Sequence, residues 1–174
     1  QWNGIIDQIQ KTATTKTSLR IPVIYGIDAI HGVTYTSGAT LFPQQIAIAA
    51  TFNPENAYNM AKVTAYETRA SGIAWNFSPV LDLGADPRFS RQYEGFGEDP
   101  YLASVMGRQA IKGYEGITDS IWYREKVAAC AKHFLGYSVP FSGKDRTPAY
   151  IPDHILREYH LPSFKAAIDE GVES

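Results

Sequence analysis

The chain has 174 residues and a mass of 19.3 kDa, and its 44% hydrophobic and 20% charged residues support one buried core and exclude a disordered chain. The formal net charge is -2 with no block of like charge, which excludes the basic footprint of a nucleic-acid-binding protein. The longest apolar run, residues 46–52, is far shorter than the roughly 18 residues of a membrane span, and the single Cys130 excludes an internal disulfide framework.

Apolar spacing and helix caps predict the elements of the first half of the chain. Four apolar residues at helical spacing predict the end of an amphipathic helix over 1–11, followed by a polar loop. The β-branched run 21–26 predicts a buried strand. Asn53-Pro54 supplies an N-cap and a first-turn proline, which predict a helix over 54–70. The run 73–80 predicts a second strand.

The second half repeats the same signals. Asp99-Pro100 is another cap, and the helix that it opens is predicted to stop at 113–116. The run 127–134 is small and apolar on both faces, which predicts a buried third strand. A last helical region over 152–171 is predicted to be interrupted at Pro162.

Strands that alternate with helices imply parallel pairing with helices outside the sheet, which is an α/β fold. A doubly wound sheet and a (β/α)8 barrel both fit this order. The doubly wound sheet predicts a Gly-rich phosphate-binding turn after an early strand, and none occurs, so the barrel is favoured. A complete barrel takes about 250 residues. Residues 1–174 are therefore predicted to be part of one barrel domain, truncated at both ends and without a second domain, and the start at Gln1 rather than Met fits an excised piece.

Asp28 follows the first predicted strand directly, where a barrel places its active groups. An acid there either binds a polar ligand or caps the turn over 29–31, because Asp is a preferred N-cap residue. Asp28 and His31 could also ligate a metal, but no further His, Glu or Cys pattern completes a coordination shell. Neither a metal nor a cofactor is therefore expected.

Two arginines, Arg88 and Arg91, lie among acids in the polar loop that follows the second predicted strand. Such a loop is most often held in shape by its own salt bridges. Either guanidinium can instead bind two hydroxyl groups of a sugar, because arginine presents a rigid set of donors. Both interpretations remain open from the sequence alone.

Lys132 and His133 are adjacent on the third predicted strand, where burying two such groups is costly unless both find partners. On a regular strand their side chains would point to opposite faces. Both can reach one cavity only if a bulge, a kink or a cis peptide breaks the alternation. The alternative is that His133 is a core residue with one ring nitrogen satisfied.

Four motifs, in this order and spacing, resemble the amino-terminal barrel of glycoside hydrolase family three, the family of exo-acting β-glucosidases, exoglucanases and their relatives. The resemblance covers essentially the whole chain, and the combination is far more specific than any one motif. The motifs are Gly26–Gly32, Asp86–Glu94 with Glu98–Pro100, Lys132–Tyr137 and Gly143–Arg146.

The resemblance implies that several charged residues hold the terminal sugar in the innermost subsite. Asp28 matches the acid of the family's Gly-x-Asp motif and would accept hydrogen bonds from two sugar hydroxyls. Arg91 matches the arginine that ends the Asp-Pro-x-x-x-Arg stretch, Lys132 and His133 match a Lys-His pair, and Arg146 matches a further basic residue. Such a site strengthens its contacts in the oxocarbenium-like transition state.

The resemblance also implies a retaining mechanism, which needs a nucleophile and an acid/base about 5 Å apart. The family carries its nucleophilic Asp on a later barrel strand and its acid/base in a following α/β sandwich domain, so no catalytic residue is expected in this chain. One branch, the N-acetylglucosaminidases, uses instead a His soon after the Lys-His-Phe motif. Residues 135–140 contain no His, which argues against that branch.

The expected function is sugar binding within a retaining β-glucosidase-like hydrolase that removes terminal β-D-glucosyl residues from a β-linked glucoside or oligosaccharide. The chain alone is expected to be inactive, and its partners would be the rest of the barrel and the sandwich domain. The alternative is a catalytically silent carbohydrate-binding or scaffold barrel of the same fold. The family's usual substrates imply a periplasmic or secreted protein.

Overall fold

The computed structural model describes residues 2–116 and 124–174. In this part of the chain no helix is both long enough and apolar enough to cross a membrane. Helices and short strands follow one another in the predicted order. The helices are α1 (Trp2–Lys16), α2 (Gln45–Ala49), α3 (Pro54–Ala70), α4 (Pro100–Glu115), α5 (Asp153–Ile155) and α6 (Leu161–Asp169), with a 3-10 turn over Gln92–Glu94 and a π-helical turn over Leu156–His160.

The sheet contains the strands β1 (Gly26–Ile27) and β2 (Trp75–Asn76), which pair in parallel. A third extended segment lies beside β2, although it forms only isolated parallel bridges. These bridges pair Ala128 with Trp75 and Lys132 with Val80. The prediction of parallel neighbouring strands separated by helices is therefore confirmed, and the carboxyl ends of the three segments share one edge.

The first strand was predicted over 21–26, but β1 starts only at Gly26, and residues 21–25 lie outside the sheet. The side-chain amide of Gln10 occupies both backbone groups of Val23, donating to its carbonyl oxygen at 2.6 Å and accepting its N–H at 3.0 Å. Ile21 and Ile24 are accordingly well exposed. A side chain from α1 thus replaces the strand neighbour that the sequence pattern implied.

Helices α3 and α4 begin at the predicted caps. Asn53 Oδ1 accepts the N–H of Glu55 at 3.1 Å, and Asp99 Oδ1 accepts the N–H of Leu102 at 2.7 Å. Helix α3 also ends where predicted. Helix α4 ends before Gly116, whose φ of 95° lies in a region that glycine adopts readily.

Two other helices differ from the prediction. Helix α1 continues to Lys16 instead of ending near residue 11, and the hydroxyls of Thr14 and Thr15 donate to helix carbonyls four residues earlier. Helix α2 was not predicted, and its buried Gln45 donates to the Val80 carbonyl oxygen at 3.1 Å. The predicted interruption near Pro162 is observed as the π-helical turn Leu156–His160, after which α6 begins with this proline in its first turn, where a missing N–H costs little.

The main core lies where α3 packs against α4 and α4 packs against α6. The helices α3 and α4 approach closely at Gly113, where a Cβ atom would lie 2.5 Å from the Tyr58 carbonyl oxygen and 2.6 Å from Cβ of Ala61. No larger residue fits there without moving a helix. The core side chains include Met60, Ala65, Leu81, Leu83, Met106, Ile111 and Tyr114.

Candidate functional site

The carboxyl ends of the three extended segments bring acidic and basic side chains to one edge of the sheet. Asp28 follows β1, Asp82 follows the segment that continues β2, and Lys132 and His133 end the third segment. The peptide bond between Lys132 and His133 is cis, which is one of the three irregularities expected there. Both basic side chains reach carboxylates at this same edge.

Lys132 contacts Asp28 directly, its Nζ donating to Asp28 Oδ1. The Lys132 side chain is 11% exposed, whereas the Asp28 side chain is 47% exposed. The ammonium is therefore held inside, and the second oxygen of Asp28 remains open to a ligand. No helix begins at Asp28 within the described residues, which leaves the interpretation of Asp28 as a helix cap without support.

The metal interpretation of Asp28 and His31 is not supported either. His31 Nδ1 lies 2.9 Å from the carbonyl oxygen of Phe42, while the Asp28 carboxylate is paired with Lys132. Across residues 2–116 and 124–174, no three His, Cys, Asp or Glu side chains lie close enough together to hold a metal ion.

His133 is held by Asp82, a residue that the sequence did not single out for binding. Asp82 Oδ2 accepts the backbone N–H of His133 at 3.1 Å and lies 2.6 Å from its Nδ1. The His133 side chain is partly exposed, so the alternative of a core histidine is not supported. The signal for Asp82 was its position directly after a predicted strand, at the same level as Asp28.

Arg91 is paired within its own loop and also reaches beyond it. Its Nε and Nη2 donate to the two carboxylate oxygens of Glu94, both at 2.7 Å, and its Nη1 donates to the Tyr137 hydroxyl at 3.1 Å. Hydrogen bonding to Glu94 raises the pKa of Arg91 above its ordinary value. Arg88 forms an ion pair with Asp86 in the same loop. The salt-bridged interpretation is therefore correct for both arginines, and of the two it is Arg91 that also contacts Tyr137, beyond the third segment.

Tyr137 joins the candidate residues to one another, although the sequence quoted it only as the end of a motif. Its ring lies against the His133 imidazole, with centroids 4.5 Å apart, and its hydroxyl accepts from Arg91 and donates to Asp145. This hydrogen bond lowers the pKa of Asp145 below its ordinary value. A single phenol thus connects two loops with the third segment.

Four of the five predicted binding residues contact a neighbour at the candidate site, whereas the fifth lies at its margin. Asp28 and Lys132 are in direct contact, and His133 and Arg91 both contact Tyr137. Arg146 lies at the margin, with a side chain that is 82% exposed and a guanidinium Nε that lies 3.7 Å from Asp145.

One carboxyl has a pKa suited to proton transfer but lies elsewhere. Burial raises the pKa of Glu115 to about 7. Glu115 Oε1 accepts the N–H of Ala129 at 2.7 Å and that of Glu173 at 3.1 Å, so it lies toward the amino end of the third segment. It is therefore remote in the sheet from Lys132 and His133.

The chain matches known proteins over nearly its whole length. Residues 2–174 match the profile described as the glycosyl hydrolase family 3 N terminal domain. A lysosomal beta glucosidase of Dictyostelium discoideum is 49% identical over 170 residues, which are 96% of this chain and 21% of that protein. A beta-xylosidase of Formosa agariphila is 38% identical over 175 residues, which are 97% of this chain and 24% of that protein.

A solved structure shows the same fold. The crystal structure of a beta-glucosidase from Listeria innocua in complex with glucose superposes with a TM-score of 0.87 and 34% identity, over 97% of this chain and 23% of that chain. The predicted fold, part of a (β/α)8 barrel of the α/β class, is therefore confirmed. The chain spans between 21% and 24% of the length of these three relatives.

Proposed function

The chain belongs to glycosyl hydrolase family 3, and on that premise we propose that it supplies the sugar-binding part of a retaining, exo-acting β-glycosidase that removes terminal β-D-glucosyl residues. The observation that carries the proposal is the ion pair of Asp28 with Lys132 at the carboxyl edge of the sheet, next in sequence to His133, which Tyr137 links to Arg91. In a barrel this edge is the one that carries the active site.

The Asp28–Lys132 pair provides an acceptor and a donor at adjacent positions. Asp28 keeps one carboxylate oxygen free of the ion pair, and Lys132 has two further N–H donors besides the one given to Asp28. Neighbouring hydroxyls on a sugar ring offer the complementary donors and acceptors. Charged hydrogen bonds of this kind are stronger than neutral ones, so they position the ring firmly.

Arg91 can add donors of fixed direction to the same ligand. A guanidinium has five N–H donors, of which Glu94 and Tyr137 occupy three, so two remain. Because three bonds already hold the group, the two remaining donors point in defined directions. A preorganised donor of this kind binds a hydroxyl without the cost of ordering a mobile side chain.

We further propose that the catalytic nucleophile and acid/base lie outside these residues, in the rest of the barrel and a following domain. Each carboxylate near the candidate site already has a partner: Asp28 pairs with Lys132, Asp82 with His133, Glu94 with Arg91, Asp86 with Arg88 and Asp145 with Tyr137. Hydrogen bonds from Arg88 also lower the pKa of Asp86. Such groups suit binding better than proton transfer.

Hydrolysis of p-nitrophenyl β-glucoside by the full-length protein tests the proposal. Replacing Lys132 by methionine keeps an unbranched side chain, one atom shorter, and removes the charge, and we expect kcat/KM to fall about 100-fold or more. The matched control is Lys165→Met, which removes an exposed ammonium paired with Asp169 on α6 and should leave kcat/KM unchanged. Measuring kcat/KM with the corresponding β-xyloside as well shows which of the two sugars in the relatives' names the protein prefers.

Three outcomes would contradict this assignment. Full-length protein that binds glucose without hydrolysing the glucoside would instead support a silent carbohydrate-binding barrel. A Lys132→Met variant with unchanged kcat/KM would remove the sugar-binding role from this edge of the sheet. Turnover by residues 1–174 alone would place the catalytic carboxylates within them, because retention requires both groups.

A further inference from the structure

Asp82 contacts His133 through two different donors. Its Oδ2 accepts the His133 backbone N–H at 3.1 Å and lies 2.6 Å from Nδ1 of the ring. The Asp82 side chain is 5% exposed, whereas the His133 side chain is 29% exposed. One carboxylate oxygen thus holds both the backbone and the ring of the same residue, from the protected side of the site.

This contact selects one tautomer of the imidazole. A carboxylate only accepts hydrogen bonds, so the proton of a neutral His133 ring must sit on Nδ1. Within the described part of the chain, Nε2 has no hydrogen-bond partner. The Tyr137 ring lies against the imidazole at 4.5 Å and limits its rotation. Nε2 is therefore the nitrogen that remains for a ligand hydroxyl.

Asp82 also acts on a second histidine, because burial lowers the pKa of His160 and the Asp82 charge opposes that effect. Asp82 Oδ1 is buried and has no hydrogen-bond partner among the described residues. Buried carboxylates that only hold a fold together normally have both oxygens satisfied, because an unpaired polar atom costs stability. At Asp82 the unpaired Oδ1 carries this cost in stability, and both contacts with His133 are made by Oδ2.

We propose that Asp82 is a positioning residue, which fixes the orientation and the Nδ1–H tautomer of His133 so that Nε2 meets a hydroxyl of the bound sugar. Asp82 does not touch the sugar itself. Its role differs from that of Asp28, which is half exposed and contacts Lys132 rather than His133. A carboxylate that orients a histidine through Nδ1 is a common arrangement where the other nitrogen performs the chemistry. This inference rests on the proposed function.

Two substitutions in the full-length protein separate orientation from simple packing. Asp82→Ala removes the acceptor, and we expect the Kd for glucose to rise about tenfold. Asp82→Asn keeps an amide oxygen that can accept from Nδ1, and we expect it to restore most of the affinity. Glucose binding is measured by calorimetry, with thermal unfolding of each variant recorded beside it.

Proton NMR supplies a readout that packing alone would not change. An imidazole proton held by a carboxylate exchanges slowly and resonates far downfield, and His133→Gln identifies the signal. We expect the signal in the wild-type protein, its loss in Asp82→Ala and its retention, at a shifted position, in Asp82→Asn. A wild-type protein without this signal, or an Asp82→Ala variant with unchanged glucose affinity, would overturn the proposal.

The failure of this inference is distinguishable from that of the proposed function. If Lys132→Met and His133→Gln weaken glucose binding but Asp82→Ala does not, only the positioning role is wrong. If all three variants bind glucose as the wild type does, the site itself is wrong. Should Asp82→Ala not fold, Asp82→Asn decides alone, since a lost Nδ1 proton signal with intact folding would contradict the orientation role.

Discussion

The carboxylates at the two ends of the third extended segment have different partners: basic side chains at one end and backbone N–H groups at the other. At the carboxyl end, Asp28 and Asp82 contact the basic side chains of Lys132 and His133. At the amino end, Glu115 is buried and accepts the backbone N–H groups of Ala129 and Glu173. Burial dominates at Glu115 and raises its pKa to about 7.

The difference separates a carboxylate that we propose for sugar binding from one that joins parts of the fold. The Lys132 ammonium lies beside Asp28, and the exposure of Asp28 leaves one carboxylate oxygen for a ligand. Glu115 connects the end of α4 to the third segment and to residue 173, and its protonation state is coupled to folding. Substitutions at the two ends should therefore change different properties: activity at one end and pH-dependent stability at the other.

The largest effect is expected for Asp28→Asn in the full-length protein. The substitution removes charge-assisted hydrogen bonds to sugar hydroxyls, each worth about 1.5–3 kcal/mol, so kcat/KM for an aryl β-glucoside should fall about 100-fold or more. The melting temperature should change little, because Asp28 is half exposed. Unchanged kinetics with a lower melting temperature would make Asp28 a structural residue and would abolish the contrast with Glu115.

Glu115→Gln should change stability rather than sugar binding. Between the ordinary value of 4.5 and about 7, the unfolded chain loses the Glu115 proton while the folded protein keeps it. The folded state then binds more protons, so this group lowers stability as the pH rises through that interval. We expect the difference in Tm between about pH 5 and about pH 8 to shrink by a few degrees in the variant.

The control for that measurement is Glu158→Gln, which changes an exposed glutamate. It should leave the difference in Tm as it is in the wild type. If Glu115→Gln behaves like this control, the carboxyl of Glu115 is ionised in the folded protein at neutral pH, and the two ends of the segment would not differ as described.

A smaller effect on binding is expected for Tyr137→Phe. The variant loses the hydroxyl that links Arg91 to Asp145 but keeps the ring that lies against His133. One hydrogen bond to a charged group is worth about 1.5 kcal/mol in such settings, so the Kd for glucose should rise roughly tenfold or less. A loss as large as that of Asp28→Asn would show that the hydroxyl itself contacts the sugar.

Much of the fold followed from the sequence, because helix caps and apolar spacing act locally. The caps at Asn53 and Asp99 were predicted and are present. Two of the errors arose where a distant group contacts the segment. The Gln10 amide displaces residues near Val23 from the sheet, and the buried contact of Gln45 with Val80 accompanies a helix that local pattern did not reveal.

The site was predictable to the extent that its residues follow strands. Asp28, Lys132 and His133 were identified because strand ends meet at one edge of a parallel sheet. Asp82 has the same position, and Tyr137 lies within a quoted motif, yet their importance depends on which side chains they touch. Contacts between residues about fifty positions apart are set by packing, which the sequence pattern does not display.

The smallest effect is expected for Arg88→Ala, and it tests whether contacts rather than loop membership decide function. Arg88 and Arg91 lie in the same loop and have the same charge, and each pairs with an acid of that loop. Arg88 is 61% exposed and its ion pair lies at the surface, where such pairs contribute little. We expect kcat/KM to change less than about twofold in Arg88→Ala and to fall about 50-fold or more in Arg91→Ala, measured with the same aryl β-glucoside. Equal losses in the two variants would mean that the loop acts as a unit, because the Tyr137 contact that distinguishes Arg91 would then have no functional consequence.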